Sequence, residues 1–283
     1  MLPEKGCWSW CARTGNAASS HPVMCGSGSP AEPETVMRLL VDIGNSRVKW
    51  GIAQDNRIVS GESFPSAGES LEESFDRHWL TLPIQRRIYI CNVVGGEAEH
   101  IATAWTQRRW GVSPNFVKPA DRGYGVVNGY EKPEKLGVDR WVSLIAAREF
   151  SNGPVCVADC GTALTFDVLD AQGRHLGGLI APGLAMMKRA LALETKGIGE
   201  IDRGDPEVLG RSTAAAVEGG VLAACAGLIE RSVGKAEKEL GHVPDLVITG
   251  GDADRIADKL DGPCKVVPDL ILRGLLRIAR SVS

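Results

Sequence analysis

Two short stretches of this chain set an aspartate at the end of an apolar run, directly before a glycine turn, and a third sets a glycine pair before an aspartate. Leu39, Leu40 and Val41 lead into Asp42, followed by Gly44 and Asn45. Val155, Cys156, Val157 and Ala158 lead into Asp159, followed by Gly161 and Thr162. The run 245–248 leads into Thr249, Gly250, Gly251 and Asp252. A carboxylate repels a phosphate that it touches directly, but it can hold Mg²⁺ or its water shell, which then bridges phosphate oxygens. Gly44 and Gly161 permit close backbone approach, and N–H groups exposed in such turns form an anion-binding concavity. Asn45, Thr162 and Thr165 add neutral donors and Lys49 adds a cation. The third stretch feeds a helix, which leaves backbone and a helix N-terminus open to a nucleotide. Taken singly, each stretch also reads as ordinary hairpin or loop chemistry. The matching layout of the first two favours a clamp on a polyphosphate.

These side chains need strands to carry them. Val48, Trp50 and Ile52 alternate with Lys49 and Gly51 after the first turn, and Leu164, Phe166 and Val168 alternate after the second. Each stretch therefore reads as strand, tight turn, strand. A repeat this far apart exceeds the period of stacked solenoid units and implies two similar α/β domains with a cleft between them. Between the hairpins, 88–94 reads as a buried strand. The spacing predicts a helix over 97–109 with Ile101, Ala104 and Trp105 inward, and another over 136–150 carrying Trp141, Leu144, Ile145 and Ala147. Later helices are expected over 184–193, 214–239, 253–260 and 270–283, and a strand over 245–249. Gly177, Gly178, Pro182 and Gly183 read as a flexible loop before a helix.

The 283 residues are 43% apolar, enough for two domain-sized cores, and the formal charge is −3. That balance offers no basic surplus for a nucleic-acid backbone. No apolar run is expected to be long enough to cross a bilayer and no secretory leader is apparent, so the reading is a soluble, cytoplasmic protein. The eight cysteines are scattered and read as reduced. Residues 1–36, rich in Gly, Ser, Pro, Ala and Cys, read as a disordered extension or an over-long gene start. A metal knuckle from Cys7, Cys11, His21 and Cys25 is the lesser reading, since only one close Cys pair is present. His21, His78, His100, His175 and His242 show no ligand spacing and read as surface or loop residues.

In order, Asp42-Ile43-Gly44-Asn45-Ser46-Arg47-Val48-Lys49, Asp159-Cys160-Gly161-Thr162-Ala163-Leu164-Thr165 and Thr249-Gly250-Gly251-Asp252-Ala253 resemble the two phosphate motifs and the adenosine motif of the acetate and sugar kinase, Hsp70 and actin superfamily. Within it, Gly137-Val138-Asp139-Arg140, preceded by Asn128-Gly129-Tyr130 and Pro133, is similar to the type III pantothenate kinases. The resemblance covers Met37 to the C-terminus. It implies two ribonuclease H-like domains, an actin-like ATPase duplication, at 37–153 and 154–283, facing across a nucleotide cleft. It also implies a homodimer with Thr213 or Tyr130 near the subunit boundary, and ATP-dependent phosphorylation of pantothenate to 4'-phosphopantothenate, the first step of coenzyme A biosynthesis.

The resemblance further implies residue roles. Asp139 is the base, Arg140 holds the pantothenate carboxylate, and Tyr130, Gly137, Val138 and Thr213 complete the substrate pocket. Residues 42–49 and Thr162 contact ATP. Asp42 holds Mg²⁺, through water, and Asp159 a monovalent cation, K⁺ or NH₄⁺. From the residues alone, the favoured reading of Asp139 is a helix-N-terminal aspartate paired with Arg140 or the helix dipole, and Arg140 reads as a surface ion pair, Tyr130 as a turn residue and Thr213 as a helix N-cap. Two other readings stay open: another small-molecule kinase of the superfamily, and a nucleotide-binding regulatory or accessory protein that keeps the clamp without the chemistry. A pure switch needs no base aimed at an alcohol, so the segment from Gly137 to Arg140 discriminates between them.

Overall fold

The computed structural model describes residues 37–55, 57–66, 68–199, 201 and 209–281. The readings of 1–36, including the Cys7, Cys11, His21 and Cys25 knuckle, lie outside the described residues. β1 (Met37–Ile43) and β2 (Arg47–Gln54) form the first hairpin, with Asp42 opposite Lys49. β3 (Arg57–Pro65) extends it antiparallel. α1 (Leu71–Trp79) starts with a capping box, in which Ser70 Oγ accepts from the Glu73 N–H and Glu73 accepts from the Ser70 N–H. β4 (Ile88–Asn92) then lies parallel to β1, and α2 (Gly96–Trp110) stops at Gly111, whose φ of 69° is the left-handed geometry of a helix end. β5 (Asn115–Phe116) closes a sheet of order β3-β2-β1-β4-β5.

A small hairpin, β6 (Arg122–Gly123) with β7 (Val126–Val127), and a 3₁₀ turn at Pro133–Lys135 lead to α3 (Val138–Ala147). The helix expected over 136–150 is thus shorter at both ends. The second half repeats the first: β8 (Val155–Cys160), β9 (Ala163–Leu169), β10 (His175–Pro182), α4 (Leu184–Glu194), α5 (Thr213–Leu240), β11 (Asp245–Thr249), α6 (Ala253–Ala257), β12 (Lys265–Val266) and α7 (Leu270–Ser281). Its sheet order is β10-β9-β8-β11-β12, with the same senses: two antiparallel steps on one side of the first strand and two parallel on the other. The duplicated ribonuclease H-like architecture expected from the resemblance is therefore present.

The glycine-containing segment 177–182, read as a loop, is instead part of the edge strand β10, because it pairs with β9 from Ala163 to Val168. Gly178 is required there: a Cβ would meet the Phe166 carbonyl oxygen and the side chains of Asp167 and Arg140. In α2 it is Ala102 and Trp105 that are buried, while Ala104 is exposed, because the buried stripe runs through 98, 102, 105 and 106.

The first strand of each sheet is apolar on both faces, which suits a strand covered on both sides. Leu39, Val41 and Ile43 face α1 and α2 in a core with Phe75, Trp79 and Trp105. Leu40 faces the other way, into a core with α3 and α7 that also holds Val155, Val157 and Val247 of the second sheet. Cys156, Ala158 and Cys160 face a third core built on α5 and α6. The period of two along β1 and β8 thus sorts alternate residues into different cores. α3 and α7 lie between the sheets and meet at Gly274, where a Cβ would collide with the Val142 carbonyl oxygen.

Contrary to expectation, one segment is long and apolar enough to cross a bilayer by length and composition: α5, with an 18-residue stretch of mean hydropathy 1.4. Val217, Val221, Leu222, Cys225 and Ile229 of this helix are committed to the third core, and Glu218 lies fully buried among them.

Candidate active site

The first two glycine turns face each other. Ser46 Oγ and Thr162 Oγ1 lie 2.6 Å apart, a hydrogen bond across 116 residues of sequence that joins the hairpin tips. Beneath them lies a cavity of about 490 Å³ lined by Asp42, Gly44, Asn45, Ser46, Arg47 and Lys49 from the first hairpin and by Asp159, Gly161, Thr162 and Thr165 from the second. Thr249, Gly250, Gly251 and Asp252 complete one wall and Asp139 enters from the start of α3. The three motif stretches, far apart in sequence, therefore share one hollow.

The local backbone explains each placement. Gly44 donates its N–H to the Arg47 carbonyl at 3.1 Å, and Gly161 donates to Ala163 at 3.1 Å, closing tight turns just past each aspartate. Gly250 has φ +100°, and a Cβ there would meet the Cys160 backbone and come within 2.7 Å of Asp159 Oδ1. The Asp252 N–H donates to the Cys160 carbonyl at 3.0 Å, so the third stretch is tied to the end of β8.

The cavity concentrates negative charge. Burial, opposed by Lys49 and reinforced by Asp159 and Asp139, pushes the Asp42 carboxyl up to about 7. Cys91, opposite Asp42 on β4, donates a thiol hydrogen bond to it, and its own thiol is pushed far up by burial and by that carboxylate. Burial, then the charge of Asp139, raises Asp159 to about 6 against the pull of Lys49. Asp139 is also raised, by burial, although its Oδ1 accepts the Arg140 N–H at 2.8 Å. Carboxylates facing one another with Lys49 as their main counter-charge favour a cation or a proton. Among the described residues no three His, Cys, Asp or Glu side chains are grouped closely enough to hold a metal ion by themselves. The donor set therefore fits a hard cation held partly through water and phosphate oxygens.

The expected acceptor residues fall elsewhere. Arg140 is buried beside the cavity and is not part of its lining; the surface ion pair among its readings is excluded. Its guanidinium forms a bidentate pair with Asp167 of β9, Nε to Oδ2 at 2.8 Å and Nη2 to Oδ1 at 2.6 Å, and Nη1 donates to the Tyr130 hydroxyl at 2.6 Å. Burial alone would lower its pKa, but the Asp167 bonds and Tyr130 raise it. His175, expected at the surface or in a loop, is 3% exposed, bonds Asp167 Oδ1 through Nε2 at 2.8 Å and stacks on Tyr130 at 5.9 Å. It is buried because β10 is a strand. Gly137 and Val138 form the N-cap and first residue of α3. Thr213 is the first residue of α5, whose N-cap is Ser212, and it lines a separate cavity of about 990 Å³ with Pro182, Met187 and Val217.

Sequence reasoning missed Arg189 and the α7 residues Ile271 and Leu272, which line the cavity, and Cys91 and Asp167, which contact Asp42 and Arg140. No spacing signal marks them, since each arrives through tertiary packing. Asp252 lay within the third motif and does line the wall.

Comparison with known proteins accords with this geometry. Residues 38–235 match the family model of type III pantothenate kinase. The chain is 39% identical to the type III pantothenate kinase of Nitrosococcus oceani over 253 residues, 87% of this chain and 95% of that one. It is 37% identical to that of Burkholderia mallei over 263 residues, 87% of this chain and all of the other. Among solved structures, the ethanolamine utilization protein EutJ of Carboxydothermus hydrogenoformans aligns with a TM-score of 0.51 at 16% identity, covering 89% of this chain and 91% of that one, a likeness of fold alone. With the family model spanning both glycine hairpins and Asp139, and with relatives matched almost end to end, the chain belongs to the type III pantothenate kinase family.

Proposed function

We propose that this chain transfers the γ-phosphate of ATP to pantothenate, forming 4'-phosphopantothenate at the first step of coenzyme A biosynthesis. The observation that carries this reading is the meeting of Asp42, Asp159 and Asp139 in one cavity beneath two hairpins joined at Ser46 and Thr162. Residues 42–49 and Thr162 cradle the triphosphate, with backbone N–H groups and Lys49 facing its charge. Asp42 is the residue that would hold Mg²⁺ through water, and Asp159 the one that would hold K⁺ or NH₄⁺. When bound, these cations neutralise charge along the phosphoryl path. Asp139, which lines the cavity from the start of α3 and whose pKa is raised by burial, takes the hydroxyl proton of the acceptor.

Arg140 and Tyr130 form the acceptor side, with Gly137 and Val138 bringing the start of α3 against the substrate. Asp167 engages Nε and one N–H of Nη2 and Tyr130 one N–H of Nη1, so the remaining N–H of each terminal nitrogen is what a carboxylate can engage. Thr213 opens onto the neighbouring apolar cavity, and Ile180 and Leu193 are 66% and 83% exposed. These exposed apolar groups are the support for a homodimer, with Thr213 or Tyr130 near its boundary; sedimentation showing only monomer would remove it. The lobes 37–153 and 154–283 are proposed as the two walls of the cleft. A regulatory role without catalysis is disfavoured by Asp139 lining the cavity.

A coupled ADP-release assay with ATP, Mg²⁺ and K⁺ tests the function. Pantothenate should stimulate ADP release, whereas acetate, glucose and glycerol should not. Equal stimulation by glucose, or none by pantothenate, overturns the reading.

A further inference from the structure

A second charged cluster lies among α4, α5 and α6, outside the lining of the cavity. Glu218, in the first third of α5, has no solvent exposure, yet it is a carboxylate. It is held by two cations from two other helices. Lys188 of α4 donates to Oε2 at 3.2 Å, and Arg255 of α6 donates to Oε1. Arg255 also reaches Asp252 Oδ1 at 3.1 Å through its other terminal nitrogen. A single buried carboxylate therefore ties α4 and α6 to each other through α5.

Both ties lead to the cavity lining. α6 begins immediately after Gly250, Gly251 and Asp252, and all three line it. α4 contributes Ala185 and Arg189 to the same lining, and Arg189 directly follows Lys188. The start of α4 is itself pinned to the second phosphate turn, because Gly183 donates its N–H to the Thr162 carbonyl at 3.1 Å. The ties thus converge on the Thr162 turn and the Gly250 turn, which the proposed function gives to the nucleotide. Neither Glu218 nor Arg255 touches the cavity.

We infer that Glu218 is a positioning residue for nucleotide binding: through Arg255 it fixes Asp252 and the Gly250 turn, and through Lys188 it fixes the α4 wall. This rests on the reading of the cavity as an ATP site. Removing one member of a buried, hydrogen-bonded charge set takes a counter-charge from each partner, so the partners turn toward water or toward their other groups. Loss of the Glu218 charge frees Arg255 to pair with Asp252 alone and releases Lys188 from its α5 partner, loosening both walls. Asp139 and Arg140 lie on α3, outside this set, and acceptor binding is spared.

The test measures ATP binding directly, by calorimetry on the full chain with Mg²⁺ and without pantothenate, for Glu218→Gln and Arg255→Gln. Both are expected to weaken ATP binding about 5- to 20-fold and to raise the KM for ATP in parallel, with the KM for pantothenate within about twofold of wild type. Arg255→Gln keeps the Glu218–Lys188 pair, so it remains informative if Glu218→Gln does not fold. A folded Arg255→Gln or Glu218→Gln protein with unchanged ATP affinity overturns the inference. Equal rises in the KM for ATP and pantothenate, or a lower yield of active protein with unchanged KM values, would show a merely structural role and also overturn it. If wild type binds ATP but ignores pantothenate, the functional reading fails while the binding comparison still stands.

Discussion

At the scale of single residues, the cavity places charge where folding alone would not. Burial pushes Asp42 up to about 7, well above the ordinary carboxylate range, so between about pH 4 and pH 7 the folded chain binds a proton there that the unfolded chain releases. Its contribution therefore destabilises the fold increasingly as pH rises through that window, and in full above it. Asp42→Asn removes the penalty. Without nucleotide the variant is expected to melt at least about 4 °C above wild type at pH 8, since even about 1–2 kcal/mol shifts the midpoint of a chain this size by several degrees. The difference should shrink toward zero near pH 4.5, while ADP release is lost. A variant melting at or below wild type at pH 8, by differential scanning fluorimetry, contradicts the charge arrangement. Asp139→Asn tests the base: turnover should fall about 10²- to 10⁴-fold while the protein melts no lower than wild type. A fully active variant removes Asp139 from that role.

At the scale of elements, the turns work by proximity. Gly250 combines φ +100° with a close approach to Cys160 and Asp159 that leaves no room for a methyl group. Gly250→Ala is expected to cost about 1–3 kcal/mol of stability and to weaken ATP binding by at least tenfold, read by denaturant titration and calorimetry. Unchanged ATP affinity would show that the turn does not shape the site. Such a turn was partly legible in the sequence, where two adjacent glycines after an apolar strand signal a backbone no side chain can crowd. What spacing did not convey was β10. Its two glycines suggested a loop, whereas Gly178 is glycine because Asp167 and Arg140 press against a strand there. His175 was misplaced for the same reason, since burial on an edge strand depends on what packs over it.

At the scale of the whole molecule, the core shared by α3 and α7 joins both sheets, with Leu40 and Tyr89 on one side and Val155, Val157 and Val247 on the other. A shared core opposes independent melting of the two halves. Calorimetry of the protein without ligand should therefore show one cooperative transition, not two. Gly274→Val, which forces a side chain into the Val142 backbone, should lower that single transition by several degrees. Two resolved transitions in wild type would contradict a common core. Omitting monovalent cations probes the cleft as a unit: rate and ATP affinity should both fall, and unchanged values would count against Asp159 as the cation site.

The sequence by itself determined the repeated strand-turn-strand layout, the glycine turns and their aspartates, because alternation, apolar runs and turn residues are local properties. It also carried the family motif around Asp139. Only the tertiary structure decided that Ser46 meets Thr162, that Arg140 is engaged by Asp167 and Tyr130, and that Glu218 links α4 to α6. Those contacts join residues brought together by packing of separate elements, and no local pattern specifies which buried charge will find which partner.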